Sequence, residues 1–426
     1  MNKISFIKKL IPSTIKKELA PYYNKIKYRY QYKRFKKIES SLRKKKEIKV
    51  AFFATFASVW KFEYLYRLME ESSLFKPIIV VCPVVNYGME NMIQTMEECF
   101  NRFSSNYNCV KSYNEKTGEY LNVRKVIDPD IIFFTSPYRE LVDGRYFIDQ
   151  FMDKLTCYVS YGFNESNFYN IFYNLEMHNL VWRLYAETPF HQKFSETTAY
   201  NKGINVKVTG YPGIDIFLDN KYHPNDIWKI KDKSIKRIIW APHHTFHPDE
   251  FLHYSCFLEF CNLIPQLAEK YKDKVQFAFK PHPLLRVKLE KYWGKEKTDQ
   301  YYKKWENMPN GMFVNGDYVD LFLTSDAMIH ESGSFIAEYL YTLKPVMHTT
   351  STDKVYNEFN EFGKACLSVY YHGRTNNDIE KFILNVINGK DELKEKRYKF
   401  YNDYLLPPNH KYASQNILND IINTIR

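Results

Sequence analysis

The stretch Ser325-Asp-Ala-Met-Ile-His-Glu-Ser-Gly-Ser-Phe-Ile-Ala-Glu-Tyr-Leu-Tyr-Thr-Leu-Lys-Pro-Val-Met-His348 decides how this chain is read. Ala327 to Ile329 reads as a buried strand, Ser332-Gly333-Ser334 as a turn of small residues, and the residues after it as a helix opening at that turn. A second strand follows at Pro345 to Met347. A strand-turn-helix aims backbone N–H groups and a positive helix end at one point, where a phosphate fits. Glu338, four residues after Ser334, lies one helical turn along the same face and suits the hydroxyls of a ribose. The stretch predicts an α/β protein that holds a nucleotide diphosphate.

Outward from this stretch the same alternation recurs. Upstream strands are predicted at Ile238 to Trp240, Val275 to Phe279 and Met312 to Val314. An earlier series covers Val50 to Thr55, Pro77 to Cys82, Asp130 to Thr135, Cys157 to Ser160 and Leu180 to Ala186. Helices are predicted around Phe62 to Glu71, Glu90 to Phe103 and Arg139 to Lys154. Helices at Asp378 to Asn388, Asp391 to Tyr404 and Ser414 to Arg426 close the chain. Short apolar strands spaced by helices imply parallel sheets covered on both faces. The expected organisation is a leader at 1–47, an acceptor-side α/β domain at 48–205, a hinge at 206–235, a nucleotide-donor α/β domain at 236–400 and a C-terminal helix at 401–426. Two doubly wound domains facing a cleft would place ligands beyond the carboxyl ends of the strands.

The chain has 426 residues, long enough for two cores, and its 45% hydrophobic and 26% charged residues are globular composition. Residues 1 to 50 hold 17 Lys and Arg against three Glu, a balance of +14 against +12 for the whole chain. The basicity therefore belongs to the leader, and the body needs no nucleic acid to explain it. In the leader, Phe6, Ile7, Leu10, Ile11, Ile15 and Leu19 fall at roughly helical spacing among lysines. Pro12 and Pro21 are expected to break it into short pieces, with Ser13 capping the second. Tyr22, Tyr23, Ile26, Tyr28 and Tyr30 then interleave with Lys25, Lys27 and Arg29. A basic helix with such faces can lie on an anionic membrane surface; the plainer alternative is a helix packed on the body.

Seven cysteines at 82, 99, 109, 157, 256, 261 and 366 show no Cys-x-x-Cys pair, which fits a reducing cytoplasm better than a disulfide framework. No apolar run reaches the length of a membrane span, and the N-terminus does not read as a signal peptide. The expected location is cytoplasmic, held peripherally at the inner face of the membrane.

The chemistry gathers at predicted strand ends. Ile238 to Trp240 runs through Ala241-Pro242 into His243-His244, and Phe277 to Phe279 runs into Lys280-Pro281-His282-Pro283 with Arg286 beyond. Adjacent in one sheet, these ends would bring Lys280, His282, His243 and Arg286 around the Ser332 to Ser334 turn. Positive charge and N–H donors stabilise a diphosphate leaving group, and a histidine there can donate a proton. No metal is expected: neighbouring histidines on a strand point apart, and no acidic partner has metal spacing. No other cofactor is called for. Asp317 and Asp320 read as helix N-caps and Asp326 as structural, while His330 and Glu331 read equally as a capping pair or as ligand contacts.

Taken in order, these residues resemble the CDP-glycerol glycerophosphotransferase family, the teichoic-acid and capsule polymerases of GT-B fold. The matching positions are Lys280, His282 and Pro283, then Glu331-Ser332-Gly333-Ser334, then Glu338, then Lys344-Pro345. Ala241-Pro242 and Thr209 to Pro212 are also similar. The resemblance implies that His282 meets the CDP diphosphate, Ser334 and nearby backbone a phosphate, and Glu338 the ribose. It implies transfer of glycerol phosphate, or a related polyol phosphate, from a CDP donor to a polymer or lipid-linked acceptor, with CMP leaving. Two departures stand out. Tyr158-Val159-Ser160-Tyr161-Gly162-Phe163 has no histidine where the family has a His-Gly motif, and the turn keeps only its last serine. The acceptor base is left among His178, Glu187, His191, Tyr161, His243 and His244. A metal-independent GT-B glycosyltransferase using a nucleotide sugar, in capsule or lipopolysaccharide synthesis, shares almost all of these donor-site features. A membrane-associated scaffold with a degenerate site is the third reading.

Overall fold

The computed structural model describes residues 13–247, 254–333, 335–350 and 353–426. Phe6 to Ile11 and Ser334 fall outside the described residues. The chain divides into two compact units. The first comprises Met1–Gly162, Phe168–Gly213 and Pro407–Arg426; the second comprises Phe163–Asn167 and Ile214–Leu406. The units are drawn differently from the expected boundaries. Residues 206–213 of the predicted hinge lie in the first unit and 214–235 in the second, while the final helix returns to the first.

The first unit is built on a seven-stranded sheet. Its strands are β1 Ile48–Ala54, β2 Phe75–Val81, β3 Cys109–Lys111, β6 Ile131–Phe134, β7 Leu155–Val159, β8 Arg183–Ala186 and β9 Val206–Val208, with a small hairpin of β4 Tyr113–Asn114 and β5 Glu119–Tyr120 beside it. The order β3-β2-β1-β6-β7-β8-β9 is doubly wound, and every pairing within the sheet is parallel. Strands buried on both faces need unbroken apolar runs, which Phe52, Phe53, Ile132 and Phe133 supply. The predicted helix at Arg139 to Lys154 is absent. Pairs of bulky side chains there fold into two 3-10 turns, Gly144–Tyr146 and Ile148–Phe151, that bury Tyr146, Ile148 and Phe151.

The leader is one helix, Ser13–Leu42, running through Pro21, so the expected break at that proline does not occur. Tyr28, Gln31, Phe35, Glu39 and Leu42 are buried at three- and four-residue spacing. Both buried polar groups are satisfied: Gln31 donates to Met152 O at 2.7 Å, and Trp182 Nε1 donates to Glu39 at 2.8 Å. This helix is part of the first unit's core, as is the last helix, Ala413–Ile425, which inserts Ile417, Ile421 and Ile425. Arg183 on β8 pins the last helix through Asp420 at 2.8 Å.

The second unit repeats the plan with six strands: β10 Lys236–Ala241, β11 Val275–Phe279, β12 Gly311–Phe313, β13 Ala327–His330, β14 Val346–Thr349 and β15 Tyr371–Gly373. The order is β12-β11-β10-β13-β14-β15, again all parallel. Trp240, Phe257, Phe279 and Trp305 form its aromatic centre, Trp240 stacking on Phe257 and Phe279 on Trp305. Contrary to the expectation from sequence, Asp320 does not cap its helix, whose N-cap position is Tyr318. It accepts from Tyr222 and Asn225 and so ties down the segment that leads into β10. Asp326 is structural, accepting from the Arg237 N–H at 2.8 Å.

Each unit by itself is a mixed α/β layer on a doubly wound parallel sheet, as expected. In such sheets ligands bind at the carboxyl edge where the strand order reverses. In the second unit that point lies between β10 and β13.

Candidate active site

The carboxyl end of β10 continues as Pro242-His243-His244, and that of β11 as Lys280-Pro281-His282. The ladder extends past both strands, Lys280 N–H donating to Trp240 O at 2.8 Å and His282 N–H to Pro242 O at 3.0 Å. These bonds hold the three imidazoles together. Ring centroids are 4.3 Å apart for His243–His244 and His244–His282, and 5.1 Å for His243–His282. The expectation that adjacent histidines point apart fails here, because both lie beyond the strand end, where side chains no longer alternate.

Among the described residues these three histidines are the one group close enough to hold a metal, their ligand atoms all lying within 4.8 Å. Their outer nitrogens argue for a different ligand. His282 Nδ1 accepts from the Leu284 N–H at 3.1 Å, capping the helix Pro283–Trp293, and His244 Nδ1 faces the Lys288 ammonium at 2.7 Å. A neutral imidazole accepting at Nδ1 carries its proton on Nε2. Burial alone pushes His282 down to about 4; burial and, after it, the charges of neighbouring groups push His244 to about 3 and His243 well below its usual value. The group is thus neutral; His282 and His244 present Nε2–H donors, which suit phosphate oxygens, while His243 Nδ1 shares a hydrogen bond with the Thr245 hydroxyl at 2.8 Å.

Lys280 adds charge beside it. It is buried, donates to Gly316 O at 2.7 Å, and desolvation lowers its pKa to about 8, so it stays mostly protonated at neutral pH. Arg286 does not join the cluster. Its guanidinium bonds Glu290 and Asp299 and lies over the Tyr302 ring, which ties two helices together.

On the other side of β10, β13 ends in His330-Glu331 and the turn Ser332-Gly333. His330 and Glu331 are fully buried and serve neither as a cap nor at the surface. His330 lies 3.3 Å from the Tyr370 hydroxyl, and Glu331 accepts from the Cys256 N–H while burial raises it to about 8. Gly333 permits a close approach: a Cβ there would stand 2.7 Å from Glu165 Oε1. The helix after the turn is short, one α-helical turn at Phe335–Glu338 continued by a 3-10 turn at Tyr339–Thr342. The positive helix end predicted from sequence is therefore slight, since the dipole sums over aligned peptides. Glu338 is buried, with the Tyr318 hydroxyl hydrogen-bonded to it.

Sequence reasoning missed Tyr254, Lys288 and Glu165. Tyr254 packs 5.4 Å from His243 and bonds Ser166 at 2.8 Å. Lys288 lies six residues after His282 with no motif to mark it. Glu165 comes from the far-off segment Phe163–Asn167, which Asn360 anchors by bonds to Asn164 O and Ser166 O.

The sequence profile described as CDP-glycerol:poly(glycerophosphate) glycerophosphotransferase matches residues 171–423. The chain belongs to that glycerophosphotransferase family. It is therefore a transferase, of the kind that moves glycerol phosphate from CDP-glycerol to poly(glycerophosphate). No curated protein sequence matches. Among solved structures, a variant of the wall teichoic acid polymerase TagF aligns with a TM-score of 0.59 at 14% identity, covering 100% of this chain and 98% of that one. TagF soaked with CDPG gives 0.57 at 14% identity, covering 96% and 98%. The UDP-GlcNAc 2-epimerase of Neisseria meningitidis, bound to UDP-GlcNAc, gives 0.54 at 15% identity, covering 88% and 100%. At these identities the structural likenesses speak for the fold alone.

Proposed function

We propose that the second unit of this glycerophosphotransferase holds the diphosphate of CDP-glycerol at the carboxyl ends of β10 and β11. The observation that carries this reading is the convergence of three neutral imidazoles, His243, His244 and His282, the last two with Nε2–H donors, beside the buried Lys280. His282 and His244 donate to phosphate oxygens, and Lys280 meets the negative charge that grows on the departing CMP. Ser332 and Gly333 bring backbone toward the same point from β13; Ser334 and Glu338 are the phosphate and ribose contacts on this reading. Preorganised donors of this kind need no metal to stabilise the leaving group. Arg286, engaged by Glu290 and Asp299, supports the helix behind the site and is not a ligand.

The acceptor is a cell-surface polymer or lipid-linked glycerol phosphate chain, which places the enzyme at the inner face of the membrane. What supports the membrane contact is the outer face of the N-terminal helix. Tyr22, Ile26 and Tyr30 are each about 70% exposed at four-residue spacing, flanked by exposed Lys25, Arg29 and Lys33. Each basic side chain at an anionic surface adds about 1 kcal/mol.

Incubation of the enzyme with CDP-glycerol, with a panel of nucleotide sugars, and with a glycerol phosphate oligomer tests the reaction. CMP and a lengthened oligomer are expected from CDP-glycerol. Release of a nucleoside diphosphate from a sugar donor, without CMP from CDP-glycerol, would favour the glycosyltransferase reading instead.

A further inference from the structure

β9 is an edge strand of the first unit's sheet, and a groove of about 520 Å³ lies between its carboxyl end and the last helix. The size falls in the roughly 300–1,000 Å³ range of ligand sites, but the lining does not suit an apolar ligand. Val208 is the single apolar residue there; the others are amides, a threonine, an aspartate and two lysines. We propose that this groove binds the polyol phosphate chain of the acceptor. On the glycerol phosphate transfer reading, on which this rests, the groove is where the first unit holds the polymer.

One wall is the helix Ala413–Ile425. Ile417, Ile421 and Ile425 enter the core, which leaves Asn416, Asn419, Asp420 and Asn423 on the opposite face at three- and four-residue spacing. Asparagine is a poor helix former, because its amide competes for the backbone. The helix Lys295–Asn307 shows how this lysine-rich chain otherwise covers a helix, with lysine and glutamate. The last helix has neither in its 13 residues. Three amides along one face thus weaken the helix, and contact with a ligand explains their presence. Asn416 joins the two walls, its Nδ2 donating to Thr209 O at 3.1 Å and to Pro408 O at 2.8 Å. Asp420 is already met within the fold, accepting from Arg183 at 2.8 Å and from the Tyr185 hydroxyl at 3.1 Å, so its charge is offset.

Lys207 on β9 and Lys411 just before the helix complete the lining. Both are exposed, and neither makes an ion pair among the described residues. A lysine on an edge strand also discourages pairing with another chain. Lys411, however, lies on no strand, and it adds its charge to the positive end of the helix. A polyol phosphate chain alternates phosphodiesters with hydroxyls. Ammonium groups meet the phosphates, while an amide both donates and accepts, as a hydroxyl does. A plain polyanion would call for the lysines alone.

The test is calorimetric titration of a glycerol phosphate oligomer into the full chain with CDP at saturation, beside inorganic polyphosphate of the same charge. The wild type is expected to bind the oligomer more tightly than polyphosphate. Lys207→Gln with Lys411→Gln should weaken both ligands at least about tenfold. Asn419→Ala with Asn423→Ala should weaken the oligomer at least about threefold and leave polyphosphate unchanged. That variant should melt at or above the wild-type temperature, because alanine favours the helix, so its lost binding is not lost fold. Both variants should raise KM for the oligomer at unchanged kcat. Oligomer affinity in the lysine variant within about twofold of the wild type overturns the groove. Polyphosphate bound as tightly as the oligomer, with the alanine variant unchanged, overturns its polyol ligand. A wild type that forms no CMP from CDP-glycerol overturns the transfer reading instead.

Discussion

Leu284 N–H and Lys288 Nζ fix which ring nitrogen of His282 and of His244 carries the proton, and this supports the phosphate ligand proposed for them. On the proposed reading His282 does two jobs, capping a helix with Nδ1 and offering Nε2–H to the diphosphate. Substitution should separate them. Asparagine is a good N-cap without an imidazole, so His282→Asn should melt within about 1 kcal/mol of the wild type while kcat/KM falls about 10²- to 10³-fold, the usual loss of one preorganised donor. Equal activity in steady-state assay would remove His282 from the site. From sequence, His282 and Lys280 were marked by the strand end that precedes them. Glu165 was not, because nothing local tells that a carboxylate far along the chain closes over Gly333.

The strands were legible as elements because buried parallel strands must be apolar throughout. Phe52 to Ala54 and Phe277 to Phe279 leave no other reading. The short edge strands β3, β9 and β15, of three residues each, carry too little pattern to be seen. The N-terminal helix was legible in its basicity but not in its second role. Tyr28, Phe35 and Leu42 look like more membrane-facing residues until packing shows them in the core. The two faces predict opposite outcomes. Replacing Tyr22, Ile26 and Tyr30 with serine should abolish sedimentation with anionic vesicles at unchanged melting temperature. Phe35→Ala should cost about 3–5 kcal/mol in denaturant titration. Vesicle binding unaffected by the triple substitution would contradict a membrane role for this helix. The turn at Gly210 makes a further element-scale case. Its φ is +90°, and a Cβ would stand 2.7 Å from Pro407 where the chain returns to the first unit. Gly210→Ala should therefore destabilise by at least about 1–3 kcal/mol, read by the same titration.

For the whole molecule, the balance of buried titratable groups sets the pH of greatest stability. His178, His243, His244, His282, His330 and His348 all have pKa values depressed by burial, so the unfolded chain binds more protons below about pH 6.5 and stability falls toward acid. Glu187 and Glu331 are raised to about 8, so stability they contribute is lost as pH climbs from their unfolded values through 8. Six histidines outweigh two carboxyls below pH 6.5, and the carboxyls prevail from there until Lys280 and Lys344, lowered by burial to about 8, begin to oppose them. Calorimetry should find the highest melting temperature near pH 6.5, declining toward 8; a melting temperature still rising at pH 8 would contradict this. None of it was legible in the sequence, which gives the residue types but not their burial.

The central claim is that a neutral imidazole cluster with Lys280 grips the diphosphate in the second unit. Calorimetric titration of CDP and of cytidine into the wild type, Lys280→Met and His282→Asn tests it most directly. The account predicts that CDP binds the wild type far more tightly than cytidine, and that its affinity weakens as pH rises through about 8, where Lys280 loses its charge. Each variant should lose at least about tenfold in CDP affinity, the worth of a single charge-assisted bond, and Lys280→Met should also lose the pH dependence. CDP affinity unchanged in both variants would contradict the account.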